Sequence, residues 1–129
     1  MAEGFPGKIL VIDDNKDLND IYDEVLTDAG YKVDVARNGA EGLSKIYWGG
    51  YDLILLDIMM PIIDGMAILQ RISDKPPEVY NGPIIVMSEL SQQELIDKAL
   101  KLGAKGWLVK SSLTPDQIVE KVSEVMQKP

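Results

Sequence analysis

The sequence predicts an α/β fold, a three-layer, doubly wound parallel sheet of five strands, and three observations carry that expectation. Five short apolar runs alternate with five segments of helical spacing, the pattern of strands joined by helical crossovers. Three of those runs are apolar throughout, as strands buried on both faces are. The run ends carry acids, a hydroxyl and a lysine, and the carboxyl ends of parallel strands are where ligands gather in such sheets.

The elements follow in order. "KILVI" (8–12) is the first strand. Leu18, Ile21, Tyr22, Val25 and Ala29 then recur at three and four residues and stop at Gly30, which describes an amphipathic helix with a glycine end. "KVDVA" (32–36) alternates, which suits an edge strand with one face half covered. Asn38 with Glu41 opens the second helix as a cap and reciprocal acid, and "GG" at 49 and 50 marks a loop after it. "LILLD" (53–57) is the third strand, Asp64 and Gly65 open the third helix, and "DKPPEVYNG" (74–82) reads as loop. "PIIVM" (83–87) is the fourth strand, Ser91 with Glu94 caps the fourth helix, and Gly103 marks a turn. "GWLVK" (106–110) is the fifth strand; Thr114 with Gln117, and Pro115 in the first turn, open the last helix. Without repeats, low-complexity tracts or linkers, residues 1–129 read as a single domain, with 1–7 as an N-terminal tail.

Composition removes whole classes of function. With 129 residues, 46% hydrophobic and 26% charged, there is material for one core. The net charge of −8 opposes a nucleic-acid surface, so no direct nucleic-acid partner is expected. Cysteine and histidine are both absent. That excludes disulfides, thiolate or imidazole metal ligands, histidine acid/base catalysis and any role as a phosphohistidine carrier. Carboxylate, hydroxyl, lysine and a hard metal remain. The apolar runs fall far short of the ~18 residues of a membrane span, and Met1 to Lys8 lacks a signal peptide's apolar centre, so a soluble, cytoplasmic protein with no membrane partner is expected.

The first strand ends in Asp13 and Asp14, the third in Asp57, the fourth in Ser88 and the fifth in Lys110. If the sheet is parallel, these groups converge on one edge. Three carboxylates there repel one another and raise each other's pKa unless a cation compensates. Oxygen-only ligation with positions left for water and phosphate suits Mg²⁺, and Lys110 can balance one carboxylate or grip one oxygen of a transferred phosphoryl group. Asp57 ends the run "LILL", a costly place for an acid unless something binds it. It is the candidate nucleophile, because carboxylates form aspartyl phosphates when metal and lysine neutralise the transferring charge.

Each residue also has a plain structural reading. Asp13 and Asp14 alone equally suit a helix N-terminus, and Asn15 and Asp17 read as cap and solvated acid of the first helix. Ser88 alone is a turn residue and Lys110 alone a surface lysine; the joint pattern gives them weight. Met60 reads as core. Met59, Ile62 and Ile63 admit two readings, burial in the monomer or an apolar rim exposed for a donor protein's helix.

Together "VIDDN", "LLDIMMPIIDG", "IIVMSE" and "LGAKGWLVK", in order and at these separations, resemble the receiver domains of two-component response regulators, including the chemotaxis regulators, over essentially the whole chain. The resemblance implies a flavodoxin-like sheet of strand order 2-1-3-4-5. It implies an aspartyl phosphate at Asp57, donated by a sensor histidine kinase or a histidine phosphotransfer protein, and a downstream effector or output domain that reads the switch. It also implies Mg²⁺ held by Asp14, Asp57 and the backbone carbonyl of Met59, with Asp13 acting through an intervening water. Lys110 would contact the phosphoryl group, Ser88 would bond it, and Trp107 stands where family members reorient an aromatic ring on activation. Three positions differ from the usual pattern: Ser111 replaces the proline after the lysine, Glu89 stands where a small residue is common, and Trp107 is bulkier than tyrosine or phenylalanine. Met59 and Glu89 are therefore candidate modulators.

Two competing functions remain to be weighed. A haloacid-dehalogenase-type phosphohydrolase also uses a strand-end aspartate with Mg²⁺, but it needs a second acid two residues on, where this chain has Met59. A phosphorylation-independent pseudo-receiver, acting only as an interaction module, would keep the fold with a spoiled pocket; intact Asp13, Asp14, Asp57, Ser88 and Lys110 argue against it.

Overall fold

The computed structural model describes residues 7–127; most of the predicted N-terminal tail, residues 1–6, lies outside them. The elements are β1 (Lys8–Ile12), α1 (Lys16–Asp28), β2 (Lys32–Ala36), α2 (Gly39–Trp48), β3 (Leu53–Asp57), α3 (Gly65–Asp74), β4 (Ile84–Ser88), α4 (Gln93–Lys101), β5 (Gly106–Val109), a 3-10 turn (Lys110–Ser112) and α5 (Pro115–Met126). All pairings are parallel, in the order β2-β1-β3-β4-β5, the order the resemblance implied.

Strand alternation distributes the core between two faces. Leu10, Ile12, Ile54, Leu56 and Val86 point to one face, where Leu43 and Ile46 of α2, Ile68 and Leu69 of α3, and Ala99 of α4 close over them. Ile9, Val11, Leu53, Leu55, Ile85 and Met87 point to the other, under Tyr22 and Leu26 of α1 and Ile118 and Val122 of α5. Strand β3 lies at the centre with every residue buried. Register brings Ile12 opposite Leu56, Asp57 opposite Met87 and Ser88 opposite Val109, so the strand ends line up along one edge.

Most helix starts follow their sequence signals. Asn15 Oδ1 accepts the Leu18 N–H at 3.0 Å, and Thr114 with Gln117 forms a complete capping box. Asn38 Oδ1 accepts the Glu41 N–H at 2.8 Å, but the Glu41 carboxylate takes the N–H of Arg37 rather than that of Asn38. The expected Ser91–Glu94 cap is not there. Helix α4 begins at Gln93 after Gln92, with no side-chain cap; the Leu95 and Ile96 N–H groups both donate to Gln92 O at 3.1 Å, so the first turn is anchored one residue later than Ser91. Two boundaries also shift. Pro83 precedes β4 and contributes only its carbonyl, to the Ile54 N–H at 3.0 Å, as proline must. Lys110 lies beyond β5, in the 3-10 turn, where its carbonyl accepts the Leu113 N–H at 3.3 Å. In α1, Ile21 is exposed and Leu26 fills the core instead.

Candidate functional site

Where β1 ends, Asp13 is still held to the sheet by its N–H, which donates to Ala36 O at 3.1 Å. Its carbonyl accepts from the buried Asn19 amide at 2.7 Å, and its Oδ1 accepts the Asn15 N–H at 2.9 Å. The residue is thus held at its N–H, its carbonyl and its carboxylate, and is buried, whereas Asp14 beside it is exposed. Asp57 comes in from β3, also buried, with Oδ1 accepting the Met59 N–H at 3.3 Å. Carboxylate oxygens of Asp13, Asp14 and Asp57 lie within 4.8 Å of one another.

Gly65 lets α3 start directly behind the acceptor. A Cβ there would meet Asp57 O at 2.5 Å and Ile58 Cα at 2.7 Å, so any larger residue would push the helix off the Asp57 backbone. The Gly65 N–H closes this contact onto Ile58 O at 3.0 Å.

Lys110 reaches back from its turn to place Nζ 2.6 Å from Asp13 Oδ2 and 3.4 Å from Asp57 Oδ1. Burial pulls its ammonium down, but the hydrogen bond to Asp13 and the charges of Asp13 and Asp57 outweigh that and leave its pKa raised. Asp57 is pushed up to about 6, first by burial and then by the charge of Asp13, with Lys110 and the Met59 N–H pulling the other way. Asp57 is therefore short of positive charge, and one ammonium does not neutralise three carboxylates. An all-oxygen donor set with an exposed member, Asp14, fits a hard divalent cation that retains water ligands.

The other predicted residues make contacts of their own. Ser88 is buried, and its Oγ accepts the Leu90 N–H at 3.0 Å, which leaves its own O–H free to donate. Trp107 is half-buried, and its indole N–H donates to Leu90 O at 2.8 Å. Glu89 turns its carboxylate to the N–H of Ser111 at 3.2 Å. Met60 is core, and Ile63 packs against it. Met59 is 59% exposed and Ile62 completely so, so the two readings of this loop divide between its residues. Ile62 also has φ +71°, a left-handed conformation that costs a β-branched residue on the order of 1–3 kcal/mol.

Sequence reasoning missed Asn19, the close approach at Gly65 and the Glu89–Ser111 bond. Asn19 had a usable signal, an amide one helical turn after Asn15 on the face α1 buries. The Glu89–Ser111 bond had none, since it joins two loops.

A family model for the response regulator receiver domain matches residues 9–123. The chain belongs to that family. Among its relatives, the chemotaxis protein CheY of Treponema pallidum is 35% identical, over 96% of this chain and 85% of that protein. The transcriptional regulatory protein DltR of Streptococcus agalactiae is 38% identical over 80% of this chain but only 45% of its own length, so this receiver domain matches less than half of that regulator. The solved receiver domain of the Francisella response regulator 1452 superposes with a TM-score of 0.82 at 29% identity, covering 94% of this chain and 97% of the other. The Thermotoga maritima response regulator TrrA, solved in complex with Mg²⁺-BeF, gives a TM-score of 0.75 at 35% identity, covering 92% and 97%. Receiver membership sets the dehalogenase reading aside. Among the described residues, no helix is long and apolar enough to cross a membrane.

Proposed function

We propose that this receiver domain is a phosphorylation switch in which Asp57 accepts a phosphoryl group from a phosphohistidine on a sensor histidine kinase or histidine phosphotransfer protein. The observation that carries the reading is the Asp57 carboxylate itself, buried at the ligand edge of the sheet with Lys110 Nζ at 3.4 Å and two more acids beside it. An Asp57 oxygen forms the new bond to phosphorus as the phosphorus–nitrogen bond breaks, and the imidazole leaves neutral after taking a proton. Lys110 shifts toward a phosphoryl oxygen, and Ser88 donates its free O–H to another. Asp14, Asp57 and the Met59 carbonyl would hold Mg²⁺, with Asp13 acting through water; when bound, the ion supplies the positive charge this centre lacks.

Driving a two-state switch from 1:99 to 99:1 takes about 5.5 kcal/mol of differential binding. Charge-assisted bonds of roughly 1.5–3 kcal/mol each, with the ion's contribution, are of that order. Drawing Ser88 toward the phosphoryl group displaces the Leu90 N–H and disturbs the Leu90–Trp107 bond. This is how the change reaches the α4 and β5 face read by an effector or output domain. The domain transforms no separate substrate; it catalyses its own phosphorylation and slow self-hydrolysis, in the cytoplasm.

Met59 and Ile62 stand exposed on the loop that follows Asp57. Their side chains form the apolar rim on which a donor protein's helix rests. Ile62→Asn keeps phosphorylation by acetyl phosphate and slows transfer from a phosphorylated donor protein; equal slowing of both reactions would refute the rim.

The deciding experiment is Mg²⁺-dependent incorporation of phosphate from acetyl phosphate, read by intact mass. Incorporation in the wild type and its loss in Asp57→Asn are expected. No incorporation in the wild type would favour the interaction-module reading.

A further inference from the structure

Glu89 and Ser111 each directly follow a residue that the proposed reaction uses, Ser88 and Lys110, and the two meet. The Glu89 carboxylate accepts the Ser111 N–H at 3.2 Å, across 22 residues of sequence. At the next residue, Leu90 O takes the Trp107 indole N–H at 2.8 Å. The connection leaving β4 is thus tied at consecutive residues to β5 and to the turn beyond it.

Ser111 has particular need of this partner. The short 3-10 turn Lys110–Ser112 closes with the Leu113 N–H on Lys110 O at 3.3 Å, and the first amides of a helical turn have no carbonyl within it to donate to. A proline at this position would have no N–H at all and would leave Glu89 without its donor. Two of the departures from the usual receiver pattern, at 89 and 111, therefore form a single contact. Glu89 also lines a small cavity of about 120 Å³ with Leu18, Tyr22, Lys110 and Ile118. None of the three acids lines it, so Glu89 is engaged on the α1 and α5 side of Lys110.

The contact matters because of what the turn carries. Lys110 bridges two carboxylates at 2.6 and 3.4 Å, and hydrogen bonding falls off steeply over such a range. A single short 3-10 turn, closed by a bond as long as 3.3 Å, gives the Lys110 ammonium little support of its own. We infer that Glu89 is a positioning residue, holding the Lys110 turn against the end of β4 through the Ser111 N–H and so setting where the ammonium stands for phosphoryl transfer. The inference rests on the phosphoacceptor reading of Asp57.

The test compares wild type, Glu89→Ala, Glu89→Gln, Ser111→Pro and the Glu89→Ala/Ser111→Pro double variant. The readouts are the rate of phosphate incorporation from acetyl phosphate and the affinity for beryllium fluoride with Mg²⁺. Glu89→Ala lowers both by about fivefold, the value of one such hydrogen bond, while Glu89→Gln, which keeps an acceptor oxygen, restores most of the loss. With Ser111→Pro in place, Glu89→Ala adds nothing further, the non-additivity of two residues sharing one contact. If Ser111→Pro does not fold, the contrast between Glu89→Ala and Glu89→Gln decides alone. A wild type that takes up no phosphate removes the Asp57 reading and this inference with it. A wild type that does, alongside an unaffected Glu89→Ala, equal losses in Glu89→Ala and Glu89→Gln, or an additive double variant, overturns only the role of Glu89.

Discussion

Two lysine–aspartate pairs stand in different settings around the same sheet. Lys8, at the start of β1, has Nζ 3.8 Å from Asp34 Oδ2, with side chains 41% and 39% exposed. Lys110, just past the end of β5, has Nζ 2.6 Å from Asp13 Oδ2, with side chains 8% and 1% exposed. The first pair has company, since Asp34 accepts the Tyr51 hydroxyl at 2.7 Å and Lys8 sits 4.9 Å from the centroid of the Tyr51 ring. Water nevertheless screens it, and exposed ion pairs contribute roughly 0–1 kcal/mol. The second pair is shielded from water, and Asp57 is held beside it in the same poorly solvated space. The same two residue types thus serve as surface decoration in one setting and as the chemical centre in the other. Burial makes the difference.

Neutralising Lys110 separates the two settings most. Lys110→Met leaves buried carboxylates with no ammonium, and we expect about 3 kcal/mol of lost stability in metal-free urea unfolding at pH 8. A loss no larger than that of Lys8→Met would sink the contrast.

Asp57→Asn moves stability the other way. Asp57 titrates at about 6 in the fold against an ordinary 3.8. Above pH 6 it is ionised in both folded and unfolded states, and the fold bears the full cost of the buried charge. Between the two values the folded chain binds a proton that the unfolded chain does not, so the cost fades as pH falls and is gone below about 3.8. Asp57→Asn should therefore be more stable than wild type by about 1–2 kcal/mol at pH 8, with the difference shrinking as pH falls through about 6. A difference that is flat with pH would show that the Asp57 charge is not what the fold resists.

The smallest effect belongs to the exposed pair. Lys8→Met changes unfolding free energy by less than about 1 kcal/mol, and the change diminishes in about 0.5 M salt. A larger or salt-independent loss would mean that Lys8 works through the Tyr51 ring rather than through its ion pair with Asp34.

Much of the fold was legible because its signals are local. The uninterrupted apolar run of β3 announced a strand covered on both faces, and Thr114, Pro115 and Gln117 marked the start of α5 to the residue. At Ser91 the local signal points one residue too early, because Gln92, with no capping side chain, supplies the carbonyl that anchors the first turn of α4. Asp13, Asp14, Asp57 and Lys110 come together because parallel strands of similar length end together.

By itself the sequence determined the alternation of strands and helices, the chemical types available at the strand ends, and the exclusion of thiolate and imidazole chemistry. Tertiary structure decided that Lys110 lies closer to Asp13, 97 residues away, than to Asp57. It also decided that Glu89 pairs with Ser111, and that Ile62 stands fully in water on a left-handed backbone. Periodicity and capping follow from interactions between residues a few positions apart, which a sequence displays. The site's distances arise where separate loops meet after the sheet has set their spacing, and only the assembled fold contains that geometry.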